Sequence, residues 1–267
     1  MNALLLAAGL GSRLKPYTNS WPKCLMPICG VPLLEYWISD LIRAGASRIF
    51  VNTHHHSQIV HEFLARPRFS GVVEILYEER LKGTAGTLRD LLKHLPRQES
   101  FWLVHADNWC GFDLSLMQKA HGQNRANGAM VTMMTFVSED PQSCGIVSLD
   151  DRGFVSEIFE KCEDPPGNLA NAAVYILEPD VLAQTVANEG AFDFTGEILP
   201  DFVGSIATIH NDRTHRDIGK IGSLLKAQSD PPKDLIWGDD DAWLNDFRSG
   251  EIVSLIKAEQ DSLLSLA

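Results

Sequence analysis

Short apolar runs alternate with segments of helical periodicity through the first half of the chain. The runs typical of strands cover residues 3–7, 48–52, 72–77 and 101–106. Helices are expected at 31–44, from Ser57 onward, at 85–94 and after a capping Asp113. In 31–44 one helical face carries Leu34, Trp37, Ile38, Leu41 and Ile42. This alternation predicts an α/β fold with a Rossmann-like, mixed, mainly parallel sheet flanked by helices.

The second half has a different pattern, with more strands and fewer helices. Strand-like runs cover 129–137, 145–149, 155–159, 172–177 and 206–210, and a helix is expected at 220–228. This predicts a mixed half of the sheet that forms a lid over a pocket. The Pro231-Pro232 pair separates a domain of residues 1–229 from a helical tail, 230–267, with its helix at about 241–264. No repeat of 20–50 residues is present, which argues against a β-helical extension.

Composition narrows the classes of function. The formal charge of −12 argues against a nucleic-acid surface but is compatible with a single bound nucleotide. No apolar run reaches the roughly 20 residues of a membrane helix, so no membrane partner is expected. The five cysteines form no C-x-x-C pair, and the chain starts with a strand rather than a signal peptide. We therefore expect a cytoplasmic protein.

The most informative segment is L-A-A-G-L-G-S-R-L at residues 6–14, followed by Pro22-Lys23. It begins where the first strand ends, and this is where ligands bind in open α/β sheets. Gly9 and Gly11 would let phosphate approach the backbone, while Arg13 and Lys23 would supply positive charge. The motif is not a dinucleotide fingerprint, because Leu14 replaces its third glycine, and it is not a P-loop. An ordinary strand-to-helix turn is the alternative.

This segment resembles the signature of the sugar-phosphate nucleotidyltransferases, L-A-G-G-x-G-T-R-L-x-P-L-T with P-K shortly after. Ala8 replaces a glycine and Ser12 a threonine. The resemblance implies a nucleotidyltransferase GT-A-like fold, with Arg13 and Lys23 catalytic. The nucleotide-binding residues it implies in this segment are Ala7, Ala8, Gly9, Gly11 and Ser12.

The K-G-T-A-G-T-L run at 82–88 is similar to the family's base-recognition segment. The resemblance implies that Thr84 and Gly86 also bind the nucleotide. Its G-T-A-G form most resembles guanylyltransferases acting on mannose 1-phosphate, so GTP is favoured. Taken alone, the run could equally be a glycine-rich helix start.

Two aspartates match the family's metal ligands. Asp107 follows the buried strand at 101–106, and Asp217 stands in R-D-I-G. The resemblance implies that both bind the catalytic Mg²⁺, an ion that takes one or two carboxylates together with phosphate oxygens. A helix cap is the alternative for either residue. Lys220-Ile221 departs from the usual Thr-Pro after the second motif.

Glu160-Lys161 and Asn171 resemble the sugar side of the family's site, the E-K-P … N-A-G segment. Lys161 would hold the sugar phosphate, Glu160 and Asn171 would contact hydroxyls, and Gly145 would border the pocket. Cys162 and Ala173 replace the usual proline and glycine. A solvated Glu–Lys pair and a plain turn at Gly145 are the alternatives.

The resemblance thus implies an enzyme that joins a nucleoside triphosphate to a sugar 1-phosphate and releases pyrophosphate. The rivals are the same chemistry with UTP or another nucleotide, a binding module without catalysis, and a hydride-transferring dehydrogenase. The tail leaves a homo-oligomer open. The His54-His55-His56 run is expected to be a loop rather than a metal site, and Glu197 to be structural.

Overall fold

The computed structural model describes residues 1–96, 98–238 and 241–265, and the side chains of all of these except 263 and 264. The strands are β1 (Asn2–Leu6), β2 (Pro27–Ile28), β3 (Val31–Pro32), β4 (Arg48–Thr53), β5 (Val73–Tyr77), β6 (Phe101–His105), β7 (Asn108–Cys110), β8 (Val131–Val137), β9 (Gly145–Leu149), β10 (Val155–Glu160), β11 (Leu169–Leu177), β12 (Ile206–His210) and β13 (His215–Asp217). The helices are α1 (Leu33–Arg43), α2 (Ser57–Leu64), α3 (Gly83–Leu92), α4 (Leu114–Ala126), α5 (Pro179–Ala187), α6 (Phe194–Glu197), α7 (Ile221–Ala227), α8 (Ala242–Ser249) and α9 (Glu251–Ser265).

The chain divides into two compact units. The first contains 1–4, 80–104 and 113–212, and the second contains 5–79, 105–112 and the described part of 213–265. The predicted division at residue 230 stays a prediction, and part of the predicted tail (239, 240, 266 and 267) lies outside the described residues. No helix within the described ranges is long and apolar enough to cross a bilayer.

The first unit carries the antiparallel part of the mixed sheet. Its strand β11 is antiparallel to β6, β8 and β9, while β10 pairs with β9 and β12 runs parallel to β8. The register of β11 against β8 shifts between Asn171 and Tyr175. Strand β6 is buried from Phe101 to Val104, as its continuous apolar run predicts. The mixed second half expected from the sequence is therefore confirmed.

The second unit carries the parallel pair β4–β5 and two small antiparallel ribbons, β2–β3 and β7–β13. Helix α1 buries Leu34, Trp37, Ile38 and Leu41, which is the apolar face that the sequence predicts. The ribbon β7–β13 brings two distant parts of the chain together, because Asp217 is paired with Asn108. The sequence analysis missed both strands of this ribbon.

Two local expectations needed correction. The tail helix expected at 241–264 is two helices, because Gly250 between α8 and α9 has an extended backbone, with φ −72° and ψ 164°. Ser57 is the first residue of α2 rather than its cap; His56 holds the capping position in a left-handed conformation. Asp113 does cap α4, where its carboxylate accepts the Ser115 amide at 2.9 Å.

Candidate active site

A cluster of four charged side chains lies in the second unit. The Lys23 ammonium donates to Asp107 Oδ2 at 2.8 Å and to Asp217 Oδ1 at 2.9 Å. Arg13 Nη2 donates to the other oxygen of Asp217 at 2.8 Å. The lysine side chain is 6% exposed, whereas Asp107 and Asp217 are 41% and 45% exposed and Arg13 is 56% exposed. A buried cation therefore links two carboxylates that remain open to solvent.

Local structure explains how these residues meet. Asp107 lies in the turn between β6 and β7, and Asp217 is the last residue of β13, opposite Asn108. Neither aspartate caps a helix, so that alternative is excluded. Asp217 Oδ1 also accepts the Gly219 amide at 2.8 Å. A Cβ at Gly219 would lie 2.7 Å from Arg13 Nη2 and 2.8 Å from Asp217 Oδ1, so a larger residue there would displace one or both of these side chains.

The charges perturb one another. Burial alone would lower the pKa of Lys23, but the attraction of Asp107 and Asp217 outweighs it, and the pKa is raised. Burial alone would raise the pKa of Asp217, yet Lys23 and then Arg13 hold it below its ordinary value. Lys23 and Asp217 therefore carry their charges at neutral pH.

The glycine loop approaches this cluster at Gly11. Its φ is +62°, and a Cβ there would lie 2.7 Å from Thr18 Cγ2 and 3.1 Å from Lys23 Cβ. Thr18 Oγ1 donates to the Gly11 carbonyl at 2.8 Å. A Cβ at Gly9, by contrast, would have nothing within 4 Å, so this position has open space beside it. Ser12 begins the short 3₁₀ turn Ser12–Leu14, which also contains Arg13.

The amides of Ala7 and Ala8 both donate to Asn52 Oδ1, at 2.7 and 3.2 Å. Asn52 is buried and donates in turn to Glu78 Oε1 at 3.2 Å. The sequence analysis missed Asn52, although a polar side chain inside the apolar run of β4 was a usable signal. In this structure Asn52 sets the backbone direction where the glycine motif begins.

A second group of predicted residues meets in the first unit. Gly145 and Glu160 are paired across β9 and β10, and a Cβ at Gly145 would lie 2.6 Å from Glu160 Oε2 and 3.9 Å from Asn171 Cβ. Asn171 Nδ2 donates to the Tyr175 hydroxyl at 2.6 Å. Burial raises the pKa of Tyr175 to about 12, so this hydroxyl keeps its proton. Lys161 Nζ lies 3.5 Å from Glu160 Oε1 and its side chain is 69% exposed.

Two backbone positions in this group are unusual. Lys161 has φ +46° and Ala173 has φ +55°, in the left-handed region that favours glycine. The Ala173 amide donates to Asn171 Oδ1 at 2.9 Å, which holds the asparagine in place. The sequence analysis missed Tyr175, which anchors the same asparagine from the other side.

Thr84 and Gly86 lie in the first turns of α3. The Thr84 hydroxyl donates to Asp193 Oδ2 at 2.9 Å and accepts the Phe194 amide at 2.7 Å. Gly86 is buried, and a Cβ there would lie 3.1 Å from Lys82 Cβ. The Thr84 hydroxyl therefore fastens the start of α3 to the 193–194 turn. Glu197 accepts the Phe192 and Asp193 amides, which supports its expected structural role.

The histidine run occupies the loop before α2. The ring nitrogens of His55 and His56 lie 3.0 and 3.1 Å from the Thr18 carbonyl oxygen, and His54 contacts the Glu78 carbonyl. Within the described ranges, no three His, Cys, Asp or Glu side chains form a group able to hold a metal ion. Any metal at Asp107 and Asp217 would thus need further ligands of another kind, such as water or substrate oxygens.

Comparison with known proteins shows which family the sequence matches. The family model described as nucleotidyl transferase matches residues 2–233. A mannose-1-phosphate guanylyltransferase of Mycobacterium tuberculosis is 31% identical over 183 residues, covering 68% of this chain and 50% of the relative. A catalytic subunit beta of the same name from Danio rerio is also 31% identical, covering 68% of this chain and 51% of its own. The chain spans about half the length of these two relatives.

Two further comparisons extend the picture. A UTP–glucose-1-phosphate uridylyltransferase of Synechocystis is 28% identical over 85% of this chain and 62% of its own. A 2.76 Å crystal structure of a Bacillus anthracis protein, assigned as a glucose-1-phosphate thymidylyltransferase and solved with sucrose, superposes with a TM-score of 0.76. The two chains are 20% identical, and the superposition covers 94% of this chain and all of the other. This likeness confirms the predicted fold. On its match over residues 2–233, the chain belongs to the nucleotidyl transferase family.

Proposed function

We propose that the chain joins a nucleoside triphosphate, with GTP favoured, to a sugar 1-phosphate and releases pyrophosphate in a Mg²⁺-dependent reaction. The observation that carries this proposal is the buried Lys23 ammonium, held between Asp107 and Asp217. It lies beside the glycine loop, and Arg13 shares one of its carboxylates. A fixed cation beside a glycine loop with open space at Gly9 suits the negative charge that phosphoryl transfer must offset.

The step is an in-line displacement at the α-phosphorus. An oxygen of the sugar phosphate forms a bond to this phosphorus, and the bond to the bridging oxygen of pyrophosphate breaks with its electron pair. A phosphate oxygen is already nucleophilic at neutral pH, so no general base is required. Lys23 offsets charge near the α-phosphate, while Arg13 and the Gly9–Gly11 loop hold the leaving phosphates.

The carboxylates of Asp107 and Asp217 fit a magnesium ion. Both are oxygen donors, both are partly exposed, and the Lys23 ammonium bridges them, so the two carboxylates lie close enough to act on one ligand. Two carboxylates completed by substrate oxygens are a common way for proteins to hold Mg²⁺. When bound there, the ion would offset negative charge on the nucleotide phosphates.

The choice of GTP is supported by the G-T-A-G sequence and by the names of two relatives. The uridylyltransferase relative keeps UTP as the alternative. On the sugar side, Glu160 and Asn171 would accept and donate hydrogen bonds to hydroxyls, and the exposed Lys161 would receive the incoming phosphate. Thr84 and Gly86 would place the base, and Ala7, Ala8 and Ser12 would contribute backbone contacts to the nucleotide.

The experiment is pyrophosphate release from GTP, UTP, dTTP, CTP and ATP, each offered with a panel of sugar 1-phosphates and Mg²⁺. We expect one preferred pair, activity that EDTA abolishes, and a loss of roughly 10²–10³ in turnover for Arg13→Ala, as for a single oxyanion donor. Lys257→Ala, on the exposed side of α9, is the matched control for loss of a positive charge.

Near-normal turnover by Arg13→Ala would contradict the assignment of that residue. Absence of product from every pair, with nucleotide still bound tightly, would overturn the enzymatic proposal. It would favour a binding module that has retained the fold without the reaction.

A further inference from the structure

The segment 17–25, called here the link, connects the glycine loop to Lys23. The Thr18 hydroxyl donates a hydrogen bond to the Gly11 carbonyl. The carbonyl of Thr18 in turn lies within hydrogen-bond distance of the His55 and His56 rings. Trp21 Nε1 donates to the Leu25 carbonyl at 3.0 Å across the turn that carries Lys23. The shape of the link therefore sets where both phosphate-binding parts of the proposed site lie.

Two helices of the C-terminal segment contact the link at separate points. On α9, Glu259 Oε2 accepts a hydrogen bond from the Tyr17 hydroxyl at 3.3 Å. Burial and the carboxylate of Glu259 raise the pKa of Tyr17, so the phenol remains a donor. On α8, the buried Phe247 ring lies 5.9 Å from the Trp21 ring, centroid to centroid.

The C-terminal segment is itself anchored firmly. Asp241 caps α8 by accepting the Leu244 amide at 3.0 Å, and it also pairs with Arg66 at 3.3 Å and Arg68 at 2.9 Å. Arg66 is buried and pairs with the fully buried Glu35 at 2.8 Å. An anchored element can restrain the segment it touches, whereas a loose tail could not.

A third contact follows the link. Gln228, just after α7, accepts the Cys29 amide at 3.0 Å and donates to the Pro27 carbonyl at 2.8 Å. Residues 17–29 thus receive contacts from all three helices near the C-terminus. The family match ends at residue 233, so α8 and α9 lie beyond the part of the chain that it covers.

We infer that α8 and α9 act as a brace that holds the link, and through it Lys23 and the glycine loop, in the phosphate-binding conformation. Tyr17, Trp21, Phe247 and Glu259 are then positioning residues rather than catalytic ones. The effect on nucleotide affinity rests on the proposed function, while the restraint on the link does not. When a binding-competent conformation is populated only in part, the apparent dissociation constant rises by the inverse of that fraction.

The test uses Glu259→Gln in the full chain, with Asp261→Asn as the control. Asp261 is an exposed acidic residue on the same helix, so the two variants change the charge equally. Hydrogen exchange of amides 17–25 should be faster by about 3–10-fold in Glu259→Gln and unchanged in the control, because exchange reports local opening. KM for the triphosphate should rise by a similar factor with kcat within about twofold.

A second variant tests the other contact with the link, so that the result does not depend on the Tyr17–Glu259 hydrogen bond alone. Phe247→Leu keeps a buried apolar side chain but removes the ring facing Trp21, and we expect the same pattern of exchange. A purely structural role would lower the melting temperature and the active fraction without a change in KM. Unchanged exchange across 17–25 in both variants would overturn the brace. If the protein turns over no triphosphate, the proposed function fails. Hydrogen exchange of amides 17–25 still shows whether α8 and α9 restrain the link.

Discussion

The charged cluster in the second unit and the residues around Asn171 in the first unit are held in place by different interactions. In the second unit, Lys23, Arg13 and two aspartates are paired with one another at 2.8–2.9 Å around a buried ammonium. Around Asn171 in the first unit, the close contact is between neutral groups, Asn171 with Tyr175, and the Glu160–Lys161 pair is exposed and 3.5 Å apart. An exposed pair of that kind contributes only about 0–1 kcal/mol.

This difference has a physical consequence. Charges that are already paired hold a fixed geometry before any ligand arrives, and the pairing shifts the pKa values of Lys23 and Asp217. Neutral hydrogen bonds with Tyr175 and the Ala173 backbone instead hold Asn171 in place, and the Lys161 side chain is exposed. We therefore expect changes in the charged cluster to affect turnover, and changes at Gly145, Glu160 and Asn171 to affect affinity for the sugar phosphate.

The largest effect is expected from Lys23→Ala. Removing the ammonium takes away a cation near the reacting phosphate and leaves Asp107 and Asp217 without their shared partner. Pyrophosphate release should fall by roughly 10²–10³ or more. The exposed Lys257→Ala is the control, and a loss below threefold in Lys23→Ala would remove the charged cluster from the mechanism.

A smaller and different effect is expected from Gly145→Ala. The new Cβ would lie 2.6 Å from Glu160 Oε2, so the carboxylate must move. KM for the sugar 1-phosphate should rise about tenfold, on the scale of 1.4 kcal/mol per factor of ten, with KM for the triphosphate unchanged. The control is Gly167→Ala, where nothing lies within 4 Å of the added carbon. Equal changes in both Michaelis constants would contradict the separation of roles.

The pKa of Asp217 gives a test of the charged cluster without turnover. Its folded pKa is depressed by Lys23 and Arg13, so its contribution to stability is present above the unfolded value of 3.8. That contribution is lost as the pH falls through the depressed pKa. The free energy of unfolding of Asp217→Asn should therefore be below that of the wild type at pH 7, and the gap should close below pH 3.8.

Urea titrations of both proteins at pH 7, 5, 4 and 3 measure this gap. A gap of constant size down to pH 3 would mean that the aspartate stabilises the fold through packing alone. A gap that already closes near pH 6 would contradict the lowered pKa.

Much of the fold could be predicted from periodicity, because long buried strands such as β6 and amphipathic helices such as α1 leave regular patterns. Strands β9 and β12 were predicted to the residue. The ribbon β7–β13 could not be found this way, since each strand has three residues and their pairing joins distant parts of the chain. That ribbon is what brings Asp217 beside Asp107.

The candidate site shows the same division. Arg13, Lys23, Asp107 and Asp217 were identified through a resemblance, and the structure brings them together, although their roles stay predictions. Asn52 and Tyr175 were missed because a single polar residue in a strand does not reveal its partner. Their importance lies in the residues they bind, which are Ala7 for Asn52 and Asn171 for Tyr175. Base recognition near Thr84 and Gly86 stays a proposal, because it would use backbone groups whose contacts with a base the sequence does not show.

The smallest effect is expected at Ala173, where this chain has alanine in place of the family's glycine. Its φ of +55° costs a residue with a Cβ about 1–2 kcal/mol, while glycine loses about 0.5–1 kcal/mol more backbone entropy on folding. Ala173→Gly should therefore stabilise the protein by roughly 0.5–1 kcal/mol in urea denaturation. The matched control is Ala170→Gly, at a buried position of the same strand with no left-handed backbone, which should destabilise by a similar amount. Destabilisation by both substitutions would mean that the entropy that glycine loses on folding outweighs the left-handed strain at residue 173.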